Sequence, residues 1–167
     1  MHLALAPSVT MGDLDWLLRQ TWLDCCGHLS GFQVGGTRYE EAIEGGFGWA
    51  PKPRSMNTKA AAAVPPGTTF THEYDYGSTT VLRGRSLGLV AAGAGAAGAA
   101  KITVLARNEP VVWPCDACGA PGERICRYCH AMACNACGRP CTCVDSWEYE
   151  SSRVVDSPRM GVCGYGT

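Results

Sequence analysis

The stretch from Cys115 to Cys143 reads CDACGAPGERICRYCHAMACNACGRPCTC, and it decides how the chain is organised. Its cysteines fall as Cys115-x2-Cys118-x7-Cys126-x2-Cys129-x4-Cys134-x2-Cys137-x3-Cys141-x-Cys143, which makes four close pairs. Two cysteines separated by two residues can aim both sulfurs at one ion where the backbone turns tightly. Gly119 and Gly138 supply the freedom for that turn. Four thiolates in a tetrahedron are a common structural set for zinc, so eight cysteines predict two ions. The segment has few large apolar side chains and needs such ions to fold.

Ligation can run in either of two ways. In a sequential scheme Cys115, Cys118, Cys126 and Cys129 hold one zinc, and Cys134, Cys137, Cys141 and Cys143 hold the other. An interleaved scheme joins pairs one and three, then two and four. The short second and third spacings resemble those of cross-braced fingers of the B-box and HIT type, which interleave. The closing Cys141-x-Cys143 departs from their His-containing ending.

The whole chain has 167 residues, which fits one domain plus a small module. Apolar residues make up 46% and charged residues 17%, enough for a real core and too apolar for a wholly disordered chain. No apolar run reaches the roughly 18 residues that a membrane span requires. The apolar run at Leu3 to Ala6 is short and lacks preceding basic residues, unlike an export signal. A cytoplasmic protein with no membrane partner is therefore expected. Eleven cysteines cannot all pair within one chain, and tight C-x-x-C spacing favours metal over a disulfide framework.

Charge bears on the partner. Fourteen Lys+Arg against fifteen Asp+Glu leave a formal net charge of -1. From Cys115 onward five arginines face six acids, a balance of -1, and eight thiolates with two zinc dications add -4. A module near -5 disfavours strong direct nucleic-acid binding, which draws its affinity from neutralised phosphates.

N-terminal to the cysteines, residues 1–110 read as an α+β domain: an antiparallel sheet with one main helix, followed by the double-zinc module and tail over 111–167. Thr10 with Asp13 three residues on marks a helix start, and Leu14, Leu17, Leu18, Thr21 and Trp22 keep helical spacing to about Asp24. Gly27 begins the exit turn. Phe32 and Val34 predict a short strand stopping at Gly35-Gly36, and Glu40 to Pro66 reads mostly as loop. From Thr68 to Tyr76 the alternation is clear, with Phe70, His72, Tyr74 and Tyr76 on one face. Thr79 to Leu87 predicts the next strand, the Ala/Gly run at Ala91 to Ala100 a hairpin loop, and Lys101 to Ala106 the returning strand. The segment Val154 to Tyr165 is expected to dock back onto the α+β domain.

Outside the cluster, Cys25, Cys26 and His28 sit at the expected helix end, and Cys163 stands alone near the C-terminus. They could pack in the core, form a third metal site, or act as a thiol with His28 as base. Adjacent cysteines tend to diverge, so at most one of Cys25 and Cys26 is expected in such a site. His28, Asp75 and Cys163 are the candidates for catalysis. For Asp75, close before Gly77, a turn cap is the commoner role. Arg159 is a candidate anion contact or salt-bridge partner of Asp156.

Five segments together carry a family resemblance: Trp22–Ser30 (WLDCCGHLS), Glu73–Thr80 (EYDYGSTT), Leu105–Glu109 (LARNE), the cysteine cluster, and Asp156–Tyr165 (DSPRMGVCGY). In matching order over most of the chain, they resemble the plasmid Ri ORF-three-like family, insertion-element passenger proteins of the TnpR type. The resemblance is to members with a cysteine-rich C-terminal zinc extension. It implies a prokaryotic mobile-element setting. It does not bring recombinase chemistry, because the chain has no activated serine among arginines and no DNA-binding helix pair. The leading functional expectation is a non-enzymatic zinc-binding interaction module that recognises a protein or a larger nucleoprotein assembly. The alternatives are a thiol- or metal-dependent enzyme using His28 and Cys163, and a small nucleic-acid-binding protein.

Overall fold

A computed structural model describes residues 1–41, 52–90, 101–143 and 145–166. The expected loop at Ala91 to Ala100, and part of that at Glu40 to Pro66, lie outside the described residues. The chain forms two compact units, one of Met1–Arg19 with Leu29–Asn108, the other of Gln20–His28 with Glu109–Thr167.

The first unit is built on helix α1, Met11–Leu18. Thr10 and Asp13 form the capping box: the Asp13 amide donates to Thr10 Oγ1 at 3.0 Å, and the Thr10 amide donates to Asp13 Oδ2 at 2.9 Å. Two further orphan amides of the first turn, Met11 and Gly12, donate to the carbonyls of Thr58 and Met56. The buried stripe is Met11, Leu14, Asp15 and Leu18. Beyond Leu18 the expected helix continues to Leu23, but Arg19–Leu23 is a π-helical turn. The second unit begins within this turn.

Four antiparallel strands form the main sheet: β2 (Ser30–Val34), β3 (Thr37–Glu40), β4 (Thr69–Tyr74) and β5 (Thr80–Arg85), in the order β3-β2-β4-β5. Gly35, with φ 54°, makes the turn between β2 and β3. Alternation on β4 puts His72 and Tyr74 in the interior, both fully buried, beside Phe32 of β2. Phe70 opposes Gly84, and a Cβ there would lie 2.2 Å from the Phe70 ring, so glycine makes room for the aromatic.

The described part of Glu40 to Pro66 is mostly irregular, with one short helix, α2 (Ala60–Ala63), whose Ala60 and Ala63 are buried. Two expectations are corrected. Tyr76 does not continue the buried face: Asp75 adopts φ 63°, ends the strand, and leaves Tyr76 exposed over Arg38. The returning strand, β6 (Ile102–Ala106), does not pair with β5. Its partner is β1 (His2–Leu5), in a separate two-stranded antiparallel sheet. Among the described residues no helix is long and apolar enough to cross a membrane.

In the second unit β7 (Arg124–Cys126) pairs with β8 (Met132–Ala133) and with β9 (Ser151–Arg153), in the order β8-β7-β9. A single helical turn, α3 (Trp147–Glu150), precedes β9. Arg124 Nε donates to Ser151 Oγ and Arg127 Nε to Ser152 Oγ, at 2.6 and 3.0 Å, which fastens the tail to the cysteine-bearing hairpin. Few large apolar side chains are buried among the described residues of this unit: Leu23, Ile125 and Met132, together with Cys115, Cys126 and Cys134.

Candidate functional site

Each of the first three cysteine pairs folds the same way. The backbone closes over the sulfurs, so that the amide of Gly119 donates to the Cys115 carbonyl, that of His130 to Cys126, and that of Gly138 to Cys134. The closing residue is left-handed in every case: φ is 74° at Gly119, 59° at His130 and 66° at Gly138. Glycine takes this conformation freely, and its use after two pairs was legible in the sequence. His130 takes it as a non-glycine residue, which the sequence reading did not anticipate.

These knuckles bring the cysteines together as two groups, Cys115, Cys118, Cys134 and Cys137, and Cys126, Cys129, Cys141 and Cys143. Within each group all four sulfurs lie within 4.8 Å of one another. The pairs are thus interleaved: one with three, two with four. The hairpin of β7 and β8 explains why. Cys126 ends β7 and Cys134 follows β8, so antiparallel pairing carries the two adjacent pairs to different groups. In the first three pairs the leading cysteine is buried and the second exposed.

The contacts have the scale of metal ligation. Zn–S bonds of about 2.3 Å in a tetrahedron set S···S edges near about 3.8 Å, against about 2.05 Å for a disulfide. Cys118 and Cys134 Sγ stand 3.7 Å apart. From Cys143 Sγ the distances are 3.4 Å to Cys126, 3.4 Å to Cys129 and 3.3 Å to Cys141, somewhat tighter than the ideal edge. None of the eleven cysteines is disulfide-bonded.

Electrostatics within the groups point the same way. Amide N–H groups of Cys134 and Ala117 aimed at Cys115 draw its thiol down to about 6. At Cys126 burial raises the thiol, yet the amides of Cys129 and Tyr128 outweigh it and bring it to about 6. The crowded sulfurs of Cys118 and Cys134 push Cys137 up to about 12, and Cys126 and Cys141 do the same to Cys143. Four thiolates at such spacing ionise together only around a cation. The cysteine clusters are metal-binding in their chemistry and spacing.

A third group joins Cys25, Cys26, His28 and Cys163, again with all ligand atoms within 4.8 Å. Both adjacent cysteines take part, which corrects the expectation that at most one would. The chain bends at Cys25 and at Cys26, and Gly27 turns left-handed at φ 70°, so the two side chains are not splayed as in a strand. Cys26 Sγ is 3.7 Å from Cys163 Sγ, which is 3.5 Å from His28 Nε2.

Asp75 belongs to the first unit, where its Oδ1 accepts from the amides of Gly77 at 3.1 Å and Ser78 at 3.3 Å. It caps the turn between β4 and β5. A second polar pair was missed in the sequence: His72 Nε2 lies 2.6 Å from Asp15 Oδ1 in the interior. The signal was present, because Asp15 falls on the apolar stripe of α1 and His72 on the apolar face of β4. No family model, curated protein or solved structure matches the chain.

Proposed function

We propose that the second unit is a zinc-folded interaction module, with one zinc ion in each interleaved four-cysteine group, that recognises a protein or a larger nucleoprotein assembly. The observation that carries this reading is the assembly of eight cysteines into two four-sulfur groups with ligand spacing. Buried apolar residues here are few, so the ions take the place of a core. Recognition of a protein surface is supported by apolar exposure ahead of the first knuckle and within the second. Val112 is 71% exposed and Tyr128 67%, with Val111 and Trp113 also open to solvent. Trp113, Ile125, Met132, Pro158 and Met160 line an open groove of ≈ 630 Å³ in the same unit. The negative charge of the zinc-loaded module turns it away from bare nucleic acid. On the sequence resemblance, we place the protein among passenger proteins of mobile elements.

The test is metal removal from the full chain. Chelation should open the region 109–167 to protease while peptides of the sheet β2–β5 stay protected, and should abolish capture of the partner. Protection unchanged by chelation refutes the reading. One observation favours a thiol enzyme as the second reading, the 3.5 Å approach of His28 Nε2 to Cys163 Sγ. Fast, selective alkylation of Cys163 in zinc-loaded protein near neutral pH supports that reading, and uniformly slow labelling removes it.

A further inference from the structure

The third group lies outside the cysteine-rich stretch and has a different donor set. We propose that Cys25, Cys26, His28 and Cys163 bind a third zinc ion, closed by four protein ligands, with the buried Arg159 guanidinium as its outer counter-charge.

The distances fit this better than either alternative for the same residues. A zinc tetrahedron with bonds of about 2.3 Å to sulfur and about 2.0–2.1 Å to nitrogen has S···S edges of about 3.8 Å and S···N edges of about 3.5–3.6 Å. The observed contacts are 3.7 Å for Cys26 to Cys163 and 3.5 Å for Cys163 to His28 Nε2. A disulfide needs about 2.05 Å between sulfurs. A simple thiol–imidazole pair needs neither Cys25 nor Cys26, yet both sulfurs are in the group.

The backbone on both sides is shaped to deliver the ligands. On one side the π-turn ends in the bends at Cys25 and Cys26, and the Gly27 amide donates to Asp24 Oδ1 at 3.2 Å. On the other, successive turns wrap residues 157–165, with Met160 donating to Ser157, Val162 to Arg159 and Tyr165 to Val162. These leave Cys163 itself left-handed at φ 52°, a conformation a non-glycine residue holds only where its surroundings require it. Ser157 Oγ donates to the Trp22 carbonyl at 2.5 Å and accepts from the Arg159 amide at 2.9 Å, tying the two segments together beside the group.

Charge completes the fit. Three thiols lose their protons to solvent on binding zinc, and His28 binds as neutral imidazole through Nε2, so the loaded site carries -3 + 2 = -1. Arg159 is fully buried and its guanidinium acts on the Cys25 thiol, which sets one positive charge beside a site of net -1. The four-cysteine groups carry -2 each. The ion would cross-link positions some 137 residues apart in sequence and hold the end of the π-turn against the C-terminal segment.

Elemental analysis of the full chain, purified with reductant and without chelator, tests the proposal. The wild type should hold about three zinc ions per chain and Cys163→Ser or His28→Ala about two, while His28→Cys keeps about three because it restores a ligand. The last variant separates ligation from folding. About two ions in the wild type, unchanged in Cys163→Ser, overturns the third site and leaves the two-zinc module intact. Zinc that is lost with Cys163 but not with Cys115 has the opposite meaning: it keeps this site and removes the module. Arg159→Met should surrender the third ion to a chelator about tenfold faster than the wild type. An unchanged rate overturns the role given to Arg159.

Discussion

Interleaving can be tested by removing cysteines two at a time. Apparent binding free energies of structural zinc ions are about 10–16 kcal/mol. Shared equally over four ligands, one thiolate accounts for about 2.5–4 kcal/mol, or roughly 10²–10³-fold in affinity. A competing chelator set between the two affinities therefore empties a three-thiolate site and leaves an intact one filled. Cys115 shares a group with Cys134, not with Cys129. Under these conditions Cys115→Ser should lose one ion from its cysteine-rich module. Adding Cys134→Ser should cost no further ion, whereas adding Cys129→Ser should empty the second group as well. Native mass spectrometry resolves the loaded species directly. The reverse pattern refutes interleaving, because a sequential scheme puts Cys115 with Cys129. Loss of both ions from every single variant refutes the independence of the two groups on which the arithmetic rests.

Three further perturbations address the rest of the molecule. Gly84→Ala forces a Cβ into the Phe70 ring and should cost about 1–3 kcal/mol in urea unfolding, a penalty reduced in a Phe70→Ala background; an unaffected midpoint contradicts the β4–β5 register. Asp15→Ala leaves His72 buried without its carboxylate and should destabilise the first unit by about 2–5 kcal/mol, so a loss below about 0.5 kcal/mol shows the pair is not a structural link. His130→Gly should relieve a left-handed non-glycine residue and stabilise the zinc-loaded module by about 1 kcal/mol, with Gly119→Ala costing about as much. If both changes leave the thermal midpoint unmoved, the knuckle turns are not strained as described.

What could be read from the chain was local. The capping box, the alternation of β4 and the C-x-x-C knuckles each place cause and consequence within a few residues. The pairing of β1 with β6 does not, since its two strands are about a hundred residues apart and neither has a turn that names the other. Lys101 to Ala106 was therefore legible as a strand but not in its partner. The π-turn at Arg19–Leu23 has the composition of an ordinary helix end. Nothing in those five residues marks a departure from α geometry, and Leu23 at its end is fully buried.

The site was legible to the extent that chemistry could be separated from direction. Cysteine identity and spacing were enough to expect the two four-sulfur groups, and the likeness of the short second and third spacings to cross-braced fingers favoured interleaving before any pairing of β7 with β8 was known. Adjacency of Cys25 and Cys26 misled because divergence of neighbouring side chains holds for regular structure, and these two residues sit in bends before a left-handed glycine. The Asp15–His72 pair teaches the converse. A lone acid on an apolar helical stripe and a lone histidine on an apolar strand face each carry a cost in isolation, and one buried hydrogen bond at 2.6 Å offsets part of both, with His72 Nδ1 still buried and without a partner among the described residues. Cys163 follows the same logic in the second unit. An isolated cysteine among turns has no reason of its own to be left-handed, and the third zinc site proposed above would supply one.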